Sequence, residues 1–199
     1  MRKPAELRKA QIVAVILDLA DRIGPDRVTT GAVAAEVGVT QAAIFRHFPT
    51  KAEMWVAVAD HVAGVLTAAW AEALKEAKSP VEQVKALVGA QLEQITAHPA
   101  MPMLLFSREL NVENAALRAA FRDRLTTLHG LLMREVSAGQ QDNTFVKDVA
   151  AADVAVLLTS VIQGVAIRWS LGTRDFVLCD EGLRLLAVQL QLLGVREGQ

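Results

Sequence analysis

The chain predicts an all-α fold in two parts, a short three-helix head and a longer helical body. Three observations predict it. No tyrosine occurs among 199 residues, while alanine and leucine abound, a composition that favours helix over sheet. Apolar residues recur at helical spacing through most of the chain. One stretch, Thr29 to Glu53 (TTGAVAAEVGVTQAAIFRHFPTKAE), carries the spacing of two short helices joined by a tight turn.

The first helix starts near Pro4, which suits a first helical position, and follows Arg2 and Lys3. Ile12, Ile16, Leu19, Ala20 and Ile23 mark its buried face, and Gly24-Pro25 stops it. Thr29 or Thr30 then caps a second helix, and Thr40 a third. Between them Gly38 can take a positive φ at little steric cost. Ala34 is small enough for the third helix to cross, and Ile44 fills the shared core with Val33, Val37, Val39 and Phe48. Pro49 ends the third helix by disfavouring helical geometry at Phe48. This is helix-turn-helix spacing, whose second helix enters the DNA major groove.

Thr50 and Glu53 form a capping box that opens a long helix running to about Lys78. Met54, Trp55, Val58, Val62, Val65, Leu66, Ala69 and Trp70 give it an apolar stripe. Ser79-Pro80-Val81-Glu82 starts the next helix, which His98-Pro99 ends. Residues 100–111 read as one short apolar helix, and a longer one begins near Asn114. A loop follows at Gly139 to Asn143. The last two long helices begin near Val149 and Asp180 and are apolar on more than one side, through Val156, Ile162, Ile167, Leu185, Val188 and Leu192. Such helices need more than one packing partner, so a homodimer through them is expected, with a deep monomeric core as the alternative. A two-fold dimer presents two recognition helices and prefers a roughly palindromic operator.

Charge is unevenly spread. Residues 1–51 carry a balance of +3 and residues 52–199 a balance of −4. A modestly basic head on an acidic body fits a DNA reader with a separate sensing part. Cys179 is the sole cysteine, which rules out an intramolecular disulfide and fits a reducing cytoplasm. The N-terminus lacks the long apolar run of a secretory signal. Charge-free stretches of about 14 residues are too short to span a bilayer, so no membrane partner is expected.

Roles at the DNA end follow from side-chain chemistry. Thr40, Gln41, Ala42 and Arg46 are the groove candidates. Gln41 can pair bidentately with adenine and Arg46 with guanine, while Ala42 can touch a thymine methyl. Thr29, Thr30, His47 and Lys51 suit phosphate contacts. Each has a plainer reading as a cap, a core residue or a solvated charge. The basic N-terminus fits either a DNA contact or a solvated tail.

The segment resembles the TetR family of bacterial transcriptional regulators. The resemblance rests on Thr29-Thr30, Ala34-Ala35, Val37-Gly38-Val39 and Ile44-Phe45-Arg46-His47-Phe48-Pro49-Thr50-Lys51. It covers about the first quarter of the chain; beyond that only length and helical texture agree. The family's usual tyrosine, whose hydroxyl commonly contacts a phosphate, is replaced by Phe45, which keeps the ring and lacks the donor. The resemblance implies a helix-turn-helix DNA-binding domain at 1–51 and a helical ligand-binding and dimerisation domain at 52–199. It also implies a repressor released from its operator by a small molecule. Trp70, Leu92, Met103, Phe106, Phe121, Leu125, His129 and Gln163 are possible lining residues. Methionines and aromatics suit an adaptable pocket for an apolar or amphipathic ligand, although such residues at helical spacing are core by default.

Nothing points to catalysis or a cofactor. The four histidines lie far apart in sequence without metal-ligand spacing, and no nucleophile elbow, P-loop or dinucleotide fingerprint occurs. The competing function is an architectural or chromosome-organising DNA-binding protein without a metabolite ligand.

Overall fold

The computed structural model describes residues 5–195, which form ten α-helices and a short 3-10 turn, with no strand among them. The Arg2-Lys3-Pro4 start of the first helix lies outside the described residues. The helices are α1 (Ala5–Ile23), α2 (Thr30–Val37), α3 (Gln41–His47), α4 (Lys51–Glu76), α5 (Pro80–Ala97), α6 (Met101–Phe106), α7 (Arg108–Glu113), α8 (Ala115–Gln141), α9 (Ala151–Leu171) and α10 (Leu178–Leu192).

Helix starts follow the capping chemistry. The Glu53 amide donates to Thr50 Oγ1 at 3.1 Å, and the Thr50 hydroxyl lies 3.3 Å from the Glu53 carboxylate. At α5 the box is fully reciprocal. The Glu82 amide donates to Ser79 Oγ, and Glu82 Oε2 accepts from the Lys78 and Ser79 amides at 2.8 and 3.0 Å. Those backbone bonds favour the ionised carboxylate and lower its pKa.

Two boundaries differ from expectation. Residues 101–113 are two helices rather than one, because the Ser107 hydroxyl accepts the Leu110 amide and starts α7. The same hydroxyl donates to Asp26 at 2.7 Å. The expected loop at 139–143 begins three residues late, because α8 continues to Gln141.

The chain divides into two compact units. One comprises residues 1–64 and 98–122, the other residues 65–97 and 123–199. The first is larger than the head expected at 1–51. Met54, Trp55, Val58 and Val62 of α4 are buried in it, and α6 and α7 pack on α1 and the 3-10 turn at Pro25–Arg27. Asn114 joins two of its pieces: its carbonyl accepts the Leu117 amide at 3.0 Å, and its amide donates to the Ala52 carbonyl at 3.3 Å.

In the second unit α5, α9 and α10 pack together. Gly182 of α10 is the close approach: a Cβ there would lie 2.4 Å from Leu92 of α5. Arg184 of α10 and, next, Arg168 of α9 both donate to the Glu181 carboxylate and lower its pKa to about 2. By length and composition α4 and α9 are apolar enough to cross a bilayer. Both nevertheless supply core residues, including Trp55 and Trp70 from α4 and Leu158, Ile162 and Val165 from α9.

Asn114→Ala removes a helix cap and leaves the Ala52 carbonyl without this donor. We expect a loss of about 1–3 kcal/mol in urea unfolding. An unchanged midpoint would show that neither bond supports the first unit.

Candidate nucleic-acid interface

The interface is built at the turn between α2 and α3. Thr29 caps α2 by accepting the Ala32 amide at 3.1 Å. Gly38 ends it in the left-handed region, at φ 73° and ψ 40°. There the Gly38 amide donates to the Ala35 carbonyl and the Val39 amide to the Ala34 carbonyl at 2.9 Å. These two bonds form a Schellman stop, which satisfies carbonyls that the end of the helix would leave open. Thr40 then caps α3 by accepting the Ala43 amide at 3.3 Å.

Packing fixes which face of α3 is free. Ile44 is fully buried, with Val33, Ala34 and Phe48 beside it in the core, while Val37 and Val39 are half-buried. An Arg22 ion pair to Glu36 at 3.0 Å ties α1 to α2. With Ile44 inward, Gln41, Ala42, Phe45 and Arg46 are left exposed, and Thr40 is exposed ahead of them. Phe45 keeps 41% of its surface open, so the ring belongs to this outer face and not to the core. Thr29 and Lys51 are exposed, and Thr30 and His47 are half-buried. All nine residues read from the sequence as the DNA-facing set therefore lie in the first unit around one short helix.

Two features escaped the sequence reading. A groove of about 470 Å³ runs between α1 and α3, lined in part by Arg8, Lys9, Arg46 and His47. Arg8 and Lys9 thus extend the basic edge onto α1; their adjacency in sequence was the only signal. The second is a hydrogen bond from the Gln41 side-chain amide to the Thr30 hydroxyl, at 2.6 Å. Eleven positions separate the two residues, and no periodic pattern pairs them.

The residues read as ligand-lining do not fall in one unit. Met103, Phe106 and Phe121 belong to the first; Trp70, Leu92, Leu125, His129 and Gln163 belong to the second. Met103 and Phe106 are exposed, whereas Trp70, Leu92 and Phe121 are buried. Trp70 Nε1 donates to Gln91 at 3.1 Å, and Leu92 packs at Gly182. Leu125, His129 and Gln163 are half-buried. The histidines are not all apart: His61 and His98 meet edge to face with ring centroids 6.1 Å apart. Partial burial, followed by the neighbouring His98, lowers the pKa of His61. Among the described residues no group of three or more His, Cys, Asp or Glu is placed to hold a metal ion.

A capped helix-turn-helix with a free outer face and basic side chains along its edge defines a DNA-binding protein. Residues 12–58 match the family described as "Bacterial regulatory proteins, tetR family". The match covers the helix-turn-helix segment, from α1 to the start of α4, and supports a DNA-binding regulator. It is similar to the nucleoid occlusion factor SlmA of Haemophilus influenzae, 26% identical over 156 residues that span 75% of this chain and 72% of the relative. It is also similar to SlmA of Vibrio vulnificus, 30% identical over 59% of this chain and 57% of the relative. In fold it resembles the fatty acid degradation regulator FadR of Bacillus halodurans, with a TM-score of 0.82 and 17% identity over 98% of this chain and 100% of that one. The ketosteroid transcriptional regulator KstR2 of Mycobacterium tuberculosis gives a TM-score of 0.79 at 17% identity, covering 96% of each chain.

Gly38→Ala forces a Cβ into the left-handed region, and no nearby atom obstructs it. The cost is therefore backbone strain alone, about 1–2 kcal/mol. Urea unfolding followed by helix content tests this, and equal stability would mean the turn does not depend on that conformation.

Proposed function

We propose that this protein is a cytoplasmic, sequence-specific repressor that binds a roughly palindromic operator as a homodimer and is released by a small apolar or amphipathic effector. The observation that carries the DNA reading is the exposed face of α3 opposite the buried Ile44. In this reading Thr40, Gln41, Ala42 and Arg46 meet base edges, and Thr29, Thr30, His47 and Lys51 meet phosphates. The side chains of Arg46, His47 and Lys51 lie outside the side-chain hydrogen bonds and ion pairs of the described residues, so none has to be broken for DNA. Arg8 and Lys9 add charge on the same edge. Phe45 gives the ring a packing role without a donor to phosphate.

The dimer reading rests on unpartnered apolar faces. Val156, Leu157 and Leu171 of α9 and Leu183, Val188 and Leu192 of α10 are exposed. Ser160 and Gly164 are exposed on α9 as well, and a Cβ at Gly164 would meet nothing within 4 Å. Gly164 therefore serves no close packing within this chain, and a second copy gives it a use. Leu157→Glu with Val188→Glu is expected to yield monomers in light scattering and to weaken operator binding by at least tenfold. A dimer of unchanged mass would move the interface elsewhere.

In this reading the effector enters the helical body, where Leu125, His129 and Gln163 are half-buried and offer one apolar and two polar side chains. It releases DNA only to the extent that it binds the DNA-incompetent state more tightly. The likeness to SlmA favours a second reading, a chromosome-organising DNA-binding protein without a metabolite ligand.

Fluorescence anisotropy on the protein's own upstream DNA and on random duplex, across salt, tests both. Gln41→Ala should weaken the preferred duplex selectively, by about 1–3 kcal/mol. Lys51→Ala should weaken all duplexes alike and reduce the salt slope by about 1. Equal losses on both duplexes for Gln41→Ala would sink its base-reading role. Release by one member of a panel of fatty acids, sterols and amphipathic amines supports the repressor; release by none favours the chromosome-organising reading.

A further inference from the structure

The hydrogen bond between Thr30 and Gln41 joins the two groups given different duties above. Thr30 opens α2 and Gln41 opens α3. The left-handed stop at Gly38 turns the chain so that these two starts meet, and Gln41 Nε2 donates to Thr30 Oγ1 at 2.6 Å. Thr29, not Thr30, caps α2, so the Thr30 hydroxyl is not occupied by helix capping.

We propose that Thr30 is a positioning residue that fixes the Gln41 amide for reading adenine and ties that reading to the DNA backbone. The proposal rests on Gln41 facing bases as described above. A glutamine amide has two N–H donors and one carbonyl acceptor. One donor is committed to Thr30, so one donor and one acceptor remain for DNA. That pair matches the major-groove edge of adenine, which offers the N6 donor and the N7 acceptor. It does not match guanine, whose N7 and O6 both accept and would need both amide donors. A free glutamine can turn its amide end for end, and the tether removes that freedom. The Thr30 oxygen accepts from Gln41, which leaves its own O–H to donate. A phosphate oxygen is the fitting acceptor, and donation to an anion strengthens the oxygen as an acceptor for Gln41. The phosphate that sets the register would thereby also set the reading side chain.

The test uses the full-length protein and a randomised duplex library, with bound sequences counted for wild type, Thr30→Val, Thr30→Ala, Thr30→Ser, Gln41→Ala and the Thr30→Val, Gln41→Ala double variant. Wild type should enrich an adenine at one position of each half-site. Gln41→Ala should lose that preference. Thr30→Val and Thr30→Ala should lose about three- to tenfold of it, the size of one hydrogen bond, and keep selectivity at other positions. Thr30→Ser should restore it, and Thr30→Val should cost no further selectivity once Gln41 is alanine. Circular dichroism of each variant secures the fold. Adenine preference retained in both Thr30→Val and Thr30→Ala while Gln41→Ala loses it would overturn the positioning role and leave base reading by Gln41 intact. A uniform loss of affinity on every sequence, or no rescue by serine, would also overturn it. No enriched sequence for wild type would overturn the sequence-reading function itself, and this proposal with it.

Discussion

A helix of seven residues does not hold itself together in water. Isolated helices shorter than about 12–15 residues are marginal even with favourable composition. α3 is such a helix, spanning Gln41 to His47, and the base-reading duties proposed for this protein fall on it and its Thr40 cap. Its existence depends on the Gly38 turn and on Ile44 seated among Val33, Ala34 and Phe48. The turn fixes the direction in which α3 leaves α2, and Ile44 fixes its rotation. Gln41, Ala42, Phe45 and Arg46 face outward because Ile44 faces inward. The Thr30 hydrogen bond is a further consequence of the same geometry, since only a tight stop brings residues eleven apart within 2.6 Å.

The rest of the first unit gives that turn a rigid seat. Met54 and Trp55, just past the Thr50 cap, are almost wholly buried. Asn114 and Ser107 bring residues far along the chain back to Ala52 and Asp26. α4 and α8 each begin in the first unit and continue into the second. By chain continuity they are the elements through which an event in the body would be felt at the DNA-facing end. The second unit has a different character. Its three packed helices bury one side of α9 and α10 and leave Val156, Leu157, Val188 and Leu192 in the open.

Much of this was legible in the sequence because it is local. The caps at Thr29, Thr40, Thr50 and Ser79 lie within three residues of their partners. Gly38 announces a left-handed residue, and the inward positions of α2 and α3 follow helical period. What escaped depends on long-range geometry. The break at Ser107 interrupts a continuous apolar run, and periodicity does not register a serine that caps a helix and binds Asp26. The first unit recruits residues 98–122 from far along the chain, which no local pattern announces. Residue type alone does not separate buried Leu92 from exposed Phe106, so it does not define a ligand pocket. Arg8 and Lys9 reach the DNA-facing edge because α1 packs beside α3, which their own sequence does not declare.

In the proposed dimer two copies of this turn present α3 to DNA in a fixed, symmetric way. Hydroxyl-radical footprinting of the wild-type protein on the duplex it selects tests that most directly. The account predicts two protected patches related by a two-fold axis, their centres one helical turn or a multiple of it apart, about 10 base pairs per turn. A single patch, or even protection along the whole duplex, would contradict it.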